Sequence, residues 1–159
     1  MMRRTMLFLP GNSPKMLATG GDLGADSIIL DLEDAVSPNE KDAARILVRN
    51  FLRLKIYDKC EIIVRINGLD TSYWQDDLAA IMPCAPDVIM PTKVSGADYI
   101  HQLSAEMTRL EKLANMEVGK VKIIPLLETA MGIEESYHIA TADKRMAALY
   151  LGAEDLTRD

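Results

Sequence analysis

The sequence predicts an α/β chain organised around a parallel sheet, a TIM (β/α)8-type barrel cut short after about six βα units. Three observations carry that expectation. Short apolar runs alternate with longer helical patterns along the whole chain, the strand–helix rhythm of a parallel sheet. The runs are continuously apolar rather than alternating, as in strands buried on both faces. The polar residues that stand out, Glu33, Arg65, Lys93, Glu128 and Asp155, fall at or just past the ends of those runs. Barrels and doubly wound sheets both build their sites there, so the pattern locates a site without choosing the fold.

Residues 6–9 are the first apolar run, and Pro10-Gly11-Asn12 turns the chain. Ser13 and Pro14 suit the cap and first position of a helix reaching about Leu23. Residues 27–32 form the second strand, which ends in the acidic cluster Asp31, Glu33 and Asp34. Ser37-Pro38 opens a long amphipathic helix with Ala43, Ala44, Leu47, Val48, Phe51 and Leu52 on its buried face. Lys41, Arg45, Arg49 and Arg53 fall off that face. The third strand covers 61–67 and is broken by Gly68; a helix over 73–82 follows, with Tyr73 and Trp74 as packing groups. The fourth strand, 87–90, closes on Pro91-Thr92-Lys93. A helix over about 96–116 sets Ile100, Leu103, Met107, Leu110 and Leu113 on one stripe. Residues 121–127 are the fifth strand, 132–142 a helix, and 147–151 the sixth strand.

At 159 residues and 48% hydrophobic, the chain can bury a sizeable core as a single domain over 1–159. A full barrel needs eight strands and about 250 residues, so an incomplete barrel is favoured over a smaller sheet. The phosphate-loop and dinucleotide glycine fingerprints are missing, which weakens a nucleotide-binding doubly wound reading. The net charge of −6 argues against nucleic acid or anionic membrane as partner. Cys60 and Cys84 are far apart and without metal-ligand spacing, as expected of free thiols in a reducing compartment. The N-terminal apolar run is too short for a signal peptide, and none approaches the length of a membrane span. A soluble, cytoplasmic protein is expected.

Two runs deliver carboxylates at their ends: residues 123–127 lead into Glu128, and 149–151 lead through Gly152 to Glu154 and Asp155. Oxygen ligands so placed suit Mg2+, which takes one or two carboxylates and leaves room for substrate oxygens. Capping of the following helices is the competing role for these acids. Alternation along an extended strand end would point Glu154 away from Asp155. Arg65, flanked by Val64 and Ile66, demands a partner, either Asp31, Glu33 or Asp34 or the carboxylate of a ligand. Glu33 and Asp34 are read as helix-entry caps, as groups that hold metal-bound waters, or as groups that polarise Arg65. Lys15 and Lys93 read as solvated lysines, with the phosphates of coenzyme A or a phosphopantetheine arm as the alternative partner. His101 and His138 lie inside helices, away from the strand ends.

At these residues the chain resembles the citrate lyase beta-subunit branch of the HpcH/HpaI aldolase superfamily, over essentially its whole length. Thr5-Met-Leu-Phe-Leu-Pro-Gly11 is similar to that family's opening strand. Leu30-Asp-Leu-Glu-Asp-Ala-Val36 resembles its acidic motif, and Val64-Arg-Ile-Asn67 its substrate-arginine motif. Leu127-Glu-Thr-Ala-Met-Gly132 and Gly152-Ala-Glu-Asp-Leu156 are similar to its two metal-carboxylate motifs. The resemblance implies a barrel that binds Mg2+ and cleaves a carbon–carbon bond in a 3-hydroxy-acyl thioester, such as a citryl group on coenzyme A or a carrier protein, releasing an acetyl thioester and oxaloacetate. It also implies roles. Glu128 and Asp155 become the metal ligands, Arg65 the grip on the substrate carboxylate, and all three the catalytic groups. Glu128 and the backbone at Pro10 and Gly11 border the substrate. A homo-oligomer is implied, with other lyase subunits and an acyl carrier protein as further partners. Citramalyl- or malyl-coenzyme A lyase, a free 2-oxo-acid aldolase, and a non-catalytic assembly subunit are the alternatives. The tail that supplies a catalytic acid in relatives is expected to lie beyond these 159 residues.

Overall fold

In the computed structural model, which describes residues 2–157, the strands are β1 (Met6–Pro10), β2 (Ser27–Asp31), β3 (Glu61–Ile66), β4 (Val88–Pro91), β5 (Lys122–Ile123), β6 (Leu126–Leu127) and β7 (Tyr150–Leu151). The helices are α1 (Pro14–Thr19), α2 (Lys41–Leu54), α3 (Trp74–Ile81), α4 (Ala97–Leu113), α5 (Ala130–Glu134), α6 (Ser136–Thr141) and α7 (Ala153–Leu156). Met1, Arg158 and Asp159 lie outside the described residues. None of the described helices is long and apolar enough to cross a membrane.

The first five strands form one parallel sheet in the order β1-β2-β3-β4-β5, and β6 pairs in parallel with β7. An isolated parallel bridge pairs Ile123 of β5 with Met146, in the segment that leads to β7. Within the five-stranded sheet every strand lies beside its sequence neighbour, so that sheet is wound in one direction and has no switch point. That decides between the two architectures the strand-end pattern left open, because a doubly wound sheet reverses its strand order. Side chains sort accordingly. Ile28, Leu30, Val64 and Ile89 pack with helix residues such as Leu17, Val48, Leu78, Ile100 and Met107. Their strand neighbours Ile29, Ile63, Val88 and Met90 cluster with Ile124, Leu126, Phe8 and Tyr150 and with no helix. A sheet with helices on one face and a strands-only core on the other is an arc of a (β/α) barrel.

Several expectations need correction. The fifth apolar run is two strands, because Pro125 has no N–H to carry a ladder through. Its Leu126–Leu127 half turns to pair with β7 instead of β4. The last strand is confined to Tyr150–Leu151, and the 132–142 helix is two, broken at Glu135. Lys41 and Arg45, assigned to the solvent side of α2, are buried, whereas Ala43 is exposed. Their charges are met from other elements: Lys41 Nζ donates to the Leu32 and Glu33 carbonyls, and Arg45 Nε to Asp77 Oδ1. Leu113, on the expected stripe of α4, is 72% exposed.

A candidate active site at the carboxyl ends of the strands

The loop between β2 and α2 is folded around one side chain. Asp31 ends β2 and is 1% exposed. Its Oδ1 accepts the Glu33 N–H at 2.8 Å and its Oδ2 the Ala35 N–H at 3.0 Å. Those two amides wrap the chain over the strand end. From outside, Lys41 Nζ holds the Leu32 carbonyl at 2.8 Å and the Glu33 carbonyl at 2.7 Å. Asn67 Nδ2, itself bound to Asp77, adds a second bond to the Leu32 carbonyl. Acceptors that would be orphaned at a strand end are thereby satisfied inside the protein.

Arg65 comes from the neighbouring strand in register with Asp31. Its Nε and Nη2 donate to the two Asp31 oxygens at 2.8 and 2.6 Å, a bidentate pair. The Phe8 ring lies 5.0 Å below the guanidinium carbon. Arg65 Nη1 has looser acidic neighbours, Glu33 Oε2 at 3.3 Å and Asp34 Oδ2 at 3.7 Å. Burial pushes the Glu33 carboxyl up to about 7, with the Asp34 charge adding to it and Arg65 opposing. Burial prevails because Asp31 already neutralises the guanidinium.

Glu128 follows β6 and is 4% exposed. Thr129 caps the next helix by accepting the Gly132 N–H at 3.1 Å, so the chain turns immediately after the carboxylate. Glu128 Oε1 accepts the Lys93 N–H at 2.7 Å, and Lys93 holds a left-handed φ of 53° at the end of β4. Gly152 leaves the space that Glu128 fills: a β-carbon there would sit 2.8 Å from Glu128 Cβ and 3.3 Å from Oε2. Burial raises the pKa of Glu128; the Lys93 amide opposes that, and the nearby Asp155 charge adds to it. Asp155 lies in the first turn of α7 rather than on an extended strand end. Alternation therefore does not separate it from Glu154, and both acids line the same cavity.

That cavity, of about 910 Å³, is bordered by Pro10, Asp31, Asp34, Arg65, Glu128 and Asp155, with Phe8 and Tyr150 as its aromatic wall. The structure brings Arg65, Glu128, Asp155 and Pro10 together. Gly11 lies behind them: its N–H donates to the Asp31 carbonyl at 2.8 Å, and a β-carbon would collide with that oxygen. His101 and His138 border a different cleft, on the outer helices. Among the described residues no three His, Cys, Asp or Glu side chains converge as a metal cage. Glu128, raised by burial and in part by the Asp155 charge, and Asp155 on the same cavity wall still fit a hard divalent ion, which needs few protein ligands and offsets their negative charge. Sequence reasoning missed the Lys41–Asn67–Asp77–Arg45 support, whose charges periodicity assigned to solvent. It also missed the Lys93 amide, because backbone donors leave no mark in side-chain type.

A singly wound β/α sheet with a guanidinium and carboxylates lining one cavity at its carboxyl rim defines a protein of the (β/α) barrel type. The chain belongs to the HpcH/HpaI aldolase/citrate lyase family, whose model matches residues 4–159. It is 44% identical over 158 residues to citrate lyase subunit beta of Leuconostoc mesenteroides subsp. cremoris, covering 99% of this chain and 52% of that protein. It is 35% identical to L-malyl-CoA/beta-methylmalyl-CoA lyase of Cereibacter sphaeroides, covering 96% and 48%. Among solved structures, the citrate lyase beta subunit from M. tuberculosis, complexed with oxaloacetate and magnesium, superposes with a TM-score of 0.77 at 31% identity. That match covers 98% of this chain and 62% of the other. The chain spans about half the length of the curated relatives it matches.

Proposed function

We propose that this chain carries the substrate-binding half-site of a Mg2+-dependent carbon–carbon lyase acting on a 3-hydroxy-acyl thioester, citryl-type first among them. The convergence of Arg65, Glu128 and Asp155 in one cavity at the strand ends carries this reading. Glu128 and Asp155 are the groups that hold the ion, and Arg65 grips the substrate carboxylate while Asp31 fixes its plane. Pro10 and the turn at Gly11 close the floor. When bound, Mg2+ supplies a positive charge for the oxygens of the oxo-acid and for the negative charge that develops as the carbon–carbon bond breaks. Phe8, Leu126 and Tyr150 exclude water from one side of the cavity, which strengthens each of these attractions.

The relation to a malyl-coenzyme A lyase supports a second reading, a smaller hydroxy-acyl thioester in the same site. Residues 1–159 act in this proposal as one barrel domain, working in a homo-oligomer with other lyase subunits and a carrier protein in the cytoplasm. Titration calorimetry with Mg2+ and pyruvate tests the site. Co-binding is expected in the unaltered chain and lost in Glu128→Ala and Asp155→Ala. A folded chain that binds neither ligand, alone or together, sinks the lyase reading and brings a non-catalytic assembly role forward.

A further inference from the structure

The edge of Arg65 that opens toward the cavity already has a carboxylate beside it. Asp31 takes the inner edge, through Nε and Nη2. On the outer side, Asp34 Oδ2 lies 3.7 Å from Nη1, and the Asp34 side chain is 61% exposed and borders the cavity. Asp34 is carried on a fixed loop. Its own N–H donates to Glu33 Oε2 at 2.9 Å, the next amide is bound by Asp31, and Lys41 grips the two preceding carbonyls. Five carboxyl-bearing residues, Asp31, Asp34, Glu128, Glu154 and Asp155, line the cavity against the single guanidinium of Arg65. An incoming carboxylate therefore meets an acidic chamber and a partly occupied arginine.

We propose that Asp34 is an internal competitor for the substrate carboxylate at Arg65, so that a 2-oxo acid binds weakly until a divalent cation offsets the acidity of the cavity. This inference rests on Arg65 being the carboxylate grip. Asp34 is the group to displace because its contact is the longest of the three acidic contacts and the most exposed. The coupling is reciprocal: whatever factor the cation adds to oxo-acid affinity, the oxo-acid adds to cation affinity. Asp34 thus sets the order of loading, cation before anion, and positions nothing that touches the reacting bond.

The test is an NMR-monitored titration of the 159-residue chain with pyruvate, without and with saturating Mg2+, alongside calorimetry of Mg2+ alone. Asp34→Asn is expected to tighten cation-free pyruvate binding by about three- to fivefold, the range open to one partly solvated ion pair. It should reduce the Mg2+-dependent gain by the same factor and lower the affinity for Mg2+ alone by less than that factor, as expected for one more distant carboxylate of the same cavity. Asp34→Ala, checked for folding by circular dichroism, should do the same. Weaker pyruvate binding in both variants overturns the proposal, because Asp34 would then be supporting Arg65. A fall in Mg2+ affinity larger than the gain in cation-free pyruvate affinity also overturns it, by making Asp34 part of the cation's own surroundings. Arg65→Ala separates the two levels: if it leaves pyruvate binding intact, the reading of Arg65 itself fails and the competitor falls with it.

Discussion

Two buried arginines show what distinguishes a structural ion pair from a site. Arg145, 3% exposed, is saturated. Its Nη1 and Nη2 donate to both oxygens of Glu111 at 2.8 and 2.6 Å, and Ser104, Thr108 and the Val121 carbonyl take its remaining bonds. Glu111 also accepts two loop amides, from Gly119 and Val121. Burial alone would raise the Glu111 carboxyl, but Arg145 and the amides overcome it and hold it below the ordinary glutamate range. Arg65 is built differently. One edge is saturated by Asp31, and the other is shared at longer range by two acids at a cavity mouth. The Arg145 pair ties α4 to the segment before β7 with nothing left over. The Arg65 cluster keeps a binding edge and an excess of negative charge.

The largest expected effect comes from breaking the saturated pair. Arg145→Met should cost about 3 to 5 kcal/mol in urea denaturation, since Glu111 is left as an uncompensated buried charge. Adding Glu111→Leu should recover most of that loss, because the apolar pair fills the space without a charge. A double variant as unstable as the single one would show that the pair's worth lies in the loop amides instead. The corresponding change at the site, Arg65→Met, is expected to act on binding more than on folding. Pyruvate and Mg2+ co-binding should fall by about thirtyfold or more, the lower range for truncating a buried charged contact. The accompanying stability loss should be smaller than for Arg145→Met, because Asp31 keeps the Glu33 and Ala35 amides and borders the cavity, whereas Glu111 is sealed from solvent.

The Arg65 half of this contrast was legible in the sequence, whereas the Arg145–Glu111 pair was not singled out there. An arginine between Val64 and Ile66 needs an acidic partner, and the named partners, Asp31, Glu33 and Asp34, are the ones it meets. The acids after β6 and β7 were located as strand-end groups in one site. What was not legible came from elements meeting in space. Lys41 and Arg45 look solvated on a helical wheel, and only the approach of Leu32, Glu33 and Asp77 makes their burial affordable. Pro125 turned one apolar run into two strands, a backbone effect that hydrophobicity does not register. Asp155 changed its environment for a similar reason: the chain coils into α7 at Ala153, so helical rather than extended geometry sets its direction.

A third experiment sharpens the comparison by pH. Glu33 is the acid for which burial wins, with its carboxyl near 7 in the folded chain against 4.5 for an unperturbed glutamate. Below pH 4.5 both states hold the proton, and Glu33 contributes nothing. Between 4.5 and 7 the folded chain keeps a proton that the unfolded chain releases, so stability falls as pH rises. Glu33→Gln removes that term. The variant should match the unaltered chain near pH 4 and exceed it by about 1 to 2 kcal/mol above pH 7, after allowing for solvent screening. Parallel stability curves across this range would mean that Arg65 keeps Glu33 ionised and that Asp34 is not its principal outward neighbour.

The smallest expected effect concerns the packing behind the second carboxylate. Gly152 has a φ of −87°, which any residue adopts, so Gly152→Ala carries no backbone strain. Its β-carbon would instead press on Glu128 at 2.8 Å from Cβ, with Leu126 Cδ1 at 3.2 Å on the other side. Glu128 cannot retreat freely, because the Lys93 amide holds Oε1. The strain therefore passes to Oε2, the oxygen facing Gly152. Mg2+ affinity should fall by about three- to tenfold, with less than about 1 kcal/mol lost in stability, as for a modest overpacking at a half-open site. Removing the tether with the size change left in place distinguishes steric displacement from general loosening. Replacing the Thr92–Lys93 amide by an ester through chemical ligation deletes the N–H while leaving the left-handed φ of 53° accessible, which proline could not adopt, and in that background the alanine should weaken Mg2+ binding less. An equal loss in both backgrounds would mean that Oε2 is not the oxygen displaced, and that Glu128 meets the cation through the edge Lys93 holds.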